Sequence, residues 1–126
     1  MAEVSRVGDE IAATLPRVDV LVNNGGVSQR ARAMDADEAV ERLIMEVDYF
    51  GPVALSKAVL PSMLARQSGH IVVVSSVMGY IGTPGRSSYA AAKHAEVGFT
   101  RALGAECAPK GVLVHSPSLT ACENAV

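Results

Sequence analysis

The sequence predicts an α/β domain in which helices pack on both faces of a parallel sheet. Apolar runs of strand length alternate with longer segments of helical periodicity, in the order helix, strand, helix, strand, helix, strand. The segments between them are rich in Gly, Asn and Pro. Residues 71–74 are apolar at every position, as expected for a strand buried between two layers of helices. This alternation is typical of parallel strands joined by right-handed crossovers.

The first two elements are a helix and a short strand. Apolar residues recur at three- and four-residue intervals over 4–15, which predicts an amphipathic helix that ends before Pro16. Residues 19–22 are a β-branched run of strand length. The Asn-Asn-Gly-Gly of 23–26 closes this run with residues that tolerate turn geometry.

A long helix is expected next, over residues 35–67. Its first turn is acidic, which is favourable beside the positive end of the helix dipole, and apolar residues follow at helical spacing. We expect a bend near Gly51 and Pro52. The apolar run that follows predicts a buried strand over 71–76, which ends on two serines.

The last elements are a loop, a helix and a strand. Residues 77–87 contain three glycines and a proline, which indicates a loop. Residues 88–107 are rich in Ala, Leu and Glu and predict a helix. Val112–His115 predicts a third short strand.

The composition excludes several classes of protein. The 126 residues carry eleven Lys and Arg against thirteen Asp and Glu, a formal charge of −2, so nucleic acid is not expected as a partner. The longest apolar run has four residues, far short of the roughly 20 that cross a bilayer. We therefore expect no membrane span. The first ten residues lack the apolar core of a signal peptide.

The cysteines and histidines predict neither a disulfide nor a metal site. Cys107 and Cys122 lie fifteen residues apart without a CxxC motif, so we expect free thiols and an intracellular location. No metal is expected, because the spacing of His70, His94 and His115 is not that of metal ligands.

Two motifs could carry chemistry. Tyr89 and Lys93 lie four residues apart, which places a phenol and an ammonium group on one helical face. A tyrosine ordinarily titrates near 10, and a neighbouring cation lowers that by about 1 to 3 units. Ser75 and Ser76 end a buried strand, at the edge where open α/β sheets bind ligands. Each motif alone is also explained by an ordinary helix face or a turn, but their conjunction favours a site.

Together these motifs resemble the signature of the short-chain dehydrogenase/reductase family. Asn-Asn-Gly-Gly at 23–26, Ser76, and Tyr-Ala-Ala-Ala-Lys at 89–93 occur in the family's order, with Ser76 thirteen residues before Tyr89. The resemblance runs from about Val18 to Lys110. It implies the later half of a Rossmann fold, a doubly wound parallel sheet, with residues 1–126 as one partial domain.

The resemblance assigns catalytic roles by position. Tyr89 matches the acid/base that exchanges a proton with the carbonyl or alcohol oxygen. Lys93 matches the residue that lowers the tyrosine's pKa, and Ser76 matches the residue that orients the substrate oxygen. Asp48 stands where the family has Asn. An ionised carboxylate there only accepts hydrogen bonds and would oppose ionisation of the tyrosine.

The resemblance also implies NAD or NADP as cofactor, without indicating which. Asn23 and Asn24 match the pair that ties the strand end to the cofactor edge, and Gly25, in place of the usual Ala, allows backbone close to the adenosine half. Tyr89 and Lys93 contact the nicotinamide ribose in the family. The glycine-rich turn that holds the pyrophosphate does not occur in the 126 residues.

Two functions follow from these observations. The first is NAD(P)-dependent interconversion of a small carbonyl compound and an alcohol. The second is a non-catalytic remnant that acts as an interaction or dimerisation module, since the two long helices resemble those of the family's dimer bundle. Ser-Pro-Ser at 116–118 departs from the usual Ser-Pro-Gly, and residues 119–126 match no part of the pattern. We expect a homo-oligomer or an aggregation-prone chain, because strand edges and apolar side chains are left uncovered.

Overall fold

The computed structural model describes residues 2–119 and confirms the alternation of helices and strands. Most elements begin and end within one or two residues of the predicted positions, since each is marked by local periodicity and by Gly, Asn or Pro at its ends. The elements are α1 (Ala2–Thr14), β1 (Val20–Asn23), α2 (Glu38–Met45), a π-helical turn (Glu46–Phe50), α3 (Gly51–Arg66), β2 (Gly69–Val73), β3 (Ser75–Ser76), α4 (Ser87–Cys107), β4 (Val112–His115) and β5 (Ser118–Leu119).

The long helix predicted over 35–67 is interrupted by the π turn between α2 and α3. Asp37 caps the start of α2, since its side chain accepts a hydrogen bond from the backbone N–H of Ala39 at 2.7 Å. The Gly51 N–H donates to the carbonyl of Glu46, five residues earlier. Because Pro52 has no N–H to donate to the carbonyl four residues before it, a wider turn fits here. The irregularity therefore precedes the predicted bend.

The sheet is parallel and three-stranded, in the order β1-β2-β4. Leu21 pairs with Ile71, and Ile71 pairs with Val114, so these three side chains lie on the same face. Helices α3 and α4 pack on that face, and α1 packs on α3. The core between helices and sheet consists of Val59, Met63, Ile71, Val73, Leu103, Cys107 and Val112.

The opposite face of the sheet carries uncovered apolar side chains, as expected from the sequence. Val20 and Val22 are 53% and 56% exposed, and Leu113 is 46% exposed. Within residues 2–119, helices cover one face only. An apolar run shows that both faces of a strand suit burial, whereas the helices that pack on the sheet decide which face is covered.

The predicted strand 71–76 is divided into β2 and β3. Val74 separates them and donates its N–H to the carbonyl of Asn23 at 2.9 Å. Ser75 then pairs with Ser118 of β5, and its N–H donates to the carbonyl of Pro117 at 2.8 Å. The break places both serines at the carboxyl edge of the sheet.

No helix within residues 2–119 is long and apolar enough to cross a membrane. Cys107 is a free, buried thiol whose pKa is raised by burial. Cys122 and the other residues of 120–126 lie outside the described residues.

Candidate functional site

The carboxyl edge of the sheet brings together the sequence motifs. Asn23 ends β1, and Ser75 and Ser76 follow β2, its parallel neighbour. Helix α4 packs against β3 and carries Tyr89 and Lys93. This edge is where open α/β sheets bind ligands.

Tyr89 and Lys93 are buried side by side on α4. The Lys93 ammonium nitrogen lies 5.6 Å from the centre of the Tyr89 ring, and the Arg86 guanidinium carbon lies 5.2 Å from it. Tyr89 packs with Met78 and Ala90. The phenol ring is therefore flanked by two cationic groups at cation–π distance.

Ser76 is buried, and its hydroxyl group has a structural partner. The oxygen accepts a hydrogen bond from the backbone N–H of Met78 at 3.2 Å, which caps the short 3-10 turn Val77–Gly79. A hydroxyl that accepts one bond still has its own proton to donate. The Ser76 hydroxyl group can thus accept the hydrogen bond that caps the turn and also donate one to a substrate oxygen.

Asn23 joins three elements, whereas the next two residues face solvent. Its amide nitrogen donates to the Ser56 hydroxyl of α3 at 3.3 Å, and its carbonyl accepts from Val74. Asn24 and Gly25 are exposed. A Cβ placed on Gly25 would meet no atom within 4 Å, so the departure from Ala leaves the loop sterically unchanged.

Asp48 is fully buried in the π turn. Its Oδ1 accepts a hydrogen bond from the backbone N–H of Val27 at 2.8 Å, and its Oδ2 has no hydrogen-bond partner within residues 2–119. Burial raises the pKa of this carboxyl, while the Val27 N–H and the charge of Lys93 oppose the rise. Burial therefore makes this carboxyl harder to ionise than an exposed aspartate.

Glu96 is a buried acid that the sequence motifs did not single out. Its carboxylate accepts a hydrogen bond from the Lys93 ammonium group at 3.2 Å. Burial raises its pKa to about 7; Lys93 opposes this rise, Asp48 adds to it, and the nearby Ser75 hydroxyl lowers it. The signal was present in the sequence, since an acid three residues after a lysine shares its helical face.

Gly26 covers the group formed by Asp48 and Lys93. A Cβ at Gly26 would lie 3.5 Å from the Lys93 ammonium nitrogen and 3.6 Å from each Asp48 carboxylate oxygen. The backbone of the Asn-Asn-Gly-Gly turn thus closes over the charged groups. The turn 23–26 is thereby placed next to Lys93 of the Tyr-Ala-Ala-Ala-Lys motif on α4.

A histidine pair lies on the uncovered face of the sheet, the face of Leu113. His70 Nδ1 and His115 Nε2 are 3.1 Å apart, and their stacked rings have centres separated by 5.4 Å. Sequence spacing missed the pair because β2 and β4 are neighbours only in the folded sheet. No group of three or more His, Cys, Asp or Glu in the described part of the chain is arranged to hold a metal.

Comparisons with known proteins identify relatives in sequence and in fold. The chain is 48% identical over 106 residues to dehydrogenase/reductase SDR family member 7B of Xenopus tropicalis, an alignment that covers 84% of this chain and 34% of the relative. A short-chain dehydrogenase from Streptomyces avermitilis superposes with a TM-score of 0.90 at 33% identity, covering 99% of this chain and 48% of that one. The chain thus spans about a third of the curated relative and half of the solved structure.

A second solved structure has the same fold. A gluconate 5-dehydrogenase from Burkholderia cenocepacia, in complex with NADP and tartrate, superposes with a TM-score of 0.84 at 30% identity. The alignment covers 93% of this chain and 47% of the dehydrogenase. The family model described as short chain dehydrogenase matches residues 1–124. The resemblance seen in the motifs is confirmed, and the chain belongs to the short-chain dehydrogenase family.

Proposed function

We propose that the chain contributes the proton-transfer part of an oxidoreductase site for NAD(P)-dependent interconversion of a carbonyl compound and an alcohol. The observation that carries the proposal is the buried Tyr89 ring with the Lys93 ammonium 5.6 Å from its centre, on a helix packed against the strand that bears Ser76. Family membership supports the class of reaction. The small carbonyl or alcohol substrate is part of the proposal.

Each side chain has a distinct task in this proposal. In reduction, the Tyr89 phenol gives its proton to the developing alkoxide oxygen, and the phenolate that remains is stabilised by the nearby Lys93 charge. The Ser76 hydroxyl group donates a hydrogen bond to the same oxygen, keeps its own proton, and fixes the position of that oxygen. In oxidation the proton moves in the opposite direction.

The described residues at this edge fit NAD or NADP. Asn24 and Gly25 are exposed in the turn whose Gly26 covers Lys93, and the open space at Gly25 allows the adenosine half to approach the backbone closely. A bound nicotinamide ring would supply the hydride in reduction or accept it in oxidation. Asn23 holds the turn in place through Ser56. No glycine-rich pyrophosphate turn occurs among the 126 residues, so we expect weak binding by this chain alone.

Replacement of Tyr89 by Phe tests the proposal. Oxidation of NADH or NADPH would be followed with a panel of small ketones and aldehydes. We expect Tyr89→Phe to lower the rate by about 10² to 10⁴, the usual contribution of general acid catalysis. Tyr80→Phe is the matched control, because Tyr80 is exposed and its ring contacts Arg101 instead. Turnover that survives Tyr89→Phe within a few-fold, or no turnover by the wild type, would overturn the assignment.

A second candidate, a dimerisation or interaction module without catalysis, is favoured by the uncovered sheet face. Val20, Val22 and Leu113 expose apolar surface there, and exposed apolar patches promote association. In this proposal the chain forms a homo-oligomer or aggregates, inside the cell, where its free Cys107 stays reduced. Sedimentation velocity tests this second candidate, since a chain that stays monomeric over the whole concentration range would exclude it.

A further inference from the structure

The Lys93 ammonium group lies between two buried carboxyl groups. Its nitrogen is 3.2 Å from each oxygen of Glu96, and the Lys93 and Glu96 side chains are only 6% and 2% exposed. Asp48 approaches from the π turn, beneath Gly26. Lys93 therefore has an ion-pair partner one turn along its own helix, and it also interacts electrostatically with Asp48 across the site.

These three groups cannot all be charged without a penalty. Two carboxylates and one ammonium carry a net charge of −1, and burial disfavours an uncompensated charge. Burial raises the pKa of both acids, and each is also lowered by Lys93. The Glu96 carboxyl, with its pKa raised to about 7, thus gains or loses its proton in the physiological range.

The groups that face Glu96 come from each neighbouring element. Lys93 belongs to its own helix, Asp48 to the π turn, and Ser75 to β3. The 3-10 turn Val77–Gly79 brings no titratable side chain, and β4 meets α4 through Val114. Helix α2 places Glu41 at the start of α4, where it accepts a hydrogen bond from Ser88, more than two turns from Glu96.

We propose that Glu96 is a positioning residue for Lys93. Its ionised carboxylate holds the ammonium group along α4, and its protonation releases the ammonium toward Asp48, Gly26 and the edge where Tyr89 lies. The site would then switch with pH between a held and a released lysine. This inference rests on the proposed function for its catalytic meaning, since the released ammonium is the form that can contact a cofactor ribose.

Acylation of Lys93 tests the switch without cofactor or turnover. The full chain would be treated with acetic anhydride at about pH 5 and about pH 9, two units either side of the Glu96 titration, and labelling quantified by mass spectrometry. Lys57 is exposed on α3 and serves as the reference. Dividing the labelling of Lys93 by that of Lys57 removes the general effect of pH on the reactivity of amines. We expect Glu96→Gln to raise this ratio about tenfold at the higher pH and to leave it unchanged at the lower, as a charge-assisted hydrogen bond is lost.

Glu106→Gln is the matched control, because it removes an exposed carboxylate from the same helix. Its labelling ratio should equal that of the wild type at both pH values. A wild-type ratio that already equals that of Glu96→Gln at about pH 9 would overturn the proposal. General unfolding of the variant would raise labelling at both pH values and is thereby distinguished from release of Lys93.

A carbon-13 NMR titration of the Glu96 side-chain carboxyl provides the second measurement. We expect a midpoint near 7, displaced to higher pH in Lys93→Met and to lower pH in Asp48→Asn. A midpoint near the ordinary 4.5, or no displacement in Asp48→Asn, would refute the claim that Lys93, Glu96 and Asp48 interact as one buried group. Neither measurement involves Tyr89, so the loss of the proposed oxidoreductase function would leave both results standing.

Discussion

Glu96→Gln should stabilise the folded chain at alkaline pH and change it little at acid pH. The Glu96 carboxyl titrates at about 7 when folded, against an ordinary value of 4.5. Between these values the folded state binds more protons than the unfolded state, so the free energy of unfolding of the wild type falls as pH rises from about 4.5 to about 7. Glutamine keeps the shape of the protonated acid and cannot ionise.

The magnitude follows from the same two values. The difference between 4.5 and about 7 corresponds to about 3 kcal/mol, at roughly 1.4 kcal/mol per unit. With its side chain only 2% exposed, Glu96 receives little solvent screening. The advantage of Glu96→Gln over the wild type should therefore grow by about 3 kcal/mol between about pH 4 and about pH 8.

Urea unfolding followed by circular dichroism measures this difference. Both proteins are unfolded at each pH, and only the difference between them is interpreted, because the other titrating groups are shared. Glu106→Gln, on the exposed side of α4, should show no comparable pH dependence. A difference that stays level with pH, or that favours the wild type at alkaline pH, would refute the reasoning that burial of Glu96 dominates its titration.

Two further predictions concern packing and association. Gly111→Ala should lower the free energy of unfolding by at least about 2 kcal/mol, whereas Gly25→Ala should change that free energy by less than about 1 kcal/mol. Gly111 has a φ of 82°, and a Cβ added there would lie 2.3 Å from the Gln67 carbonyl oxygen, whereas the space at Gly25 is open. Equal losses of stability in urea unfolding of the two variants would contradict this prediction. Val22→Lys should reduce self-association in sedimentation velocity, because Val22 lies on the uncovered sheet face beside Val20. Unchanged association would exclude this face as the contact.

The pattern of neighbouring residues in the sequence determined most of the helices and strands. Val112–His115 was predicted with the boundaries that it has, and α4 begins one residue earlier than expected, because strand and helix periodicities are properties of neighbouring residues. The shared face of Tyr89 and Lys93 follows equally from helical spacing. The family, too, could be identified from motifs in order along the chain.

Tertiary structure alone decided how the charges at this edge are arranged. Helical spacing brings Glu96 to Lys93, but nothing in the sequence indicates that Asp48 lies near them. The pKa values of both acids are raised because folding removes them from water. The exposure of Val22 was likewise decided by tertiary structure, because the apolar sequence of its strand suggested burial. Desolvation and charge interactions depend on distance in space and on what covers a side chain, and distant parts of the chain set both.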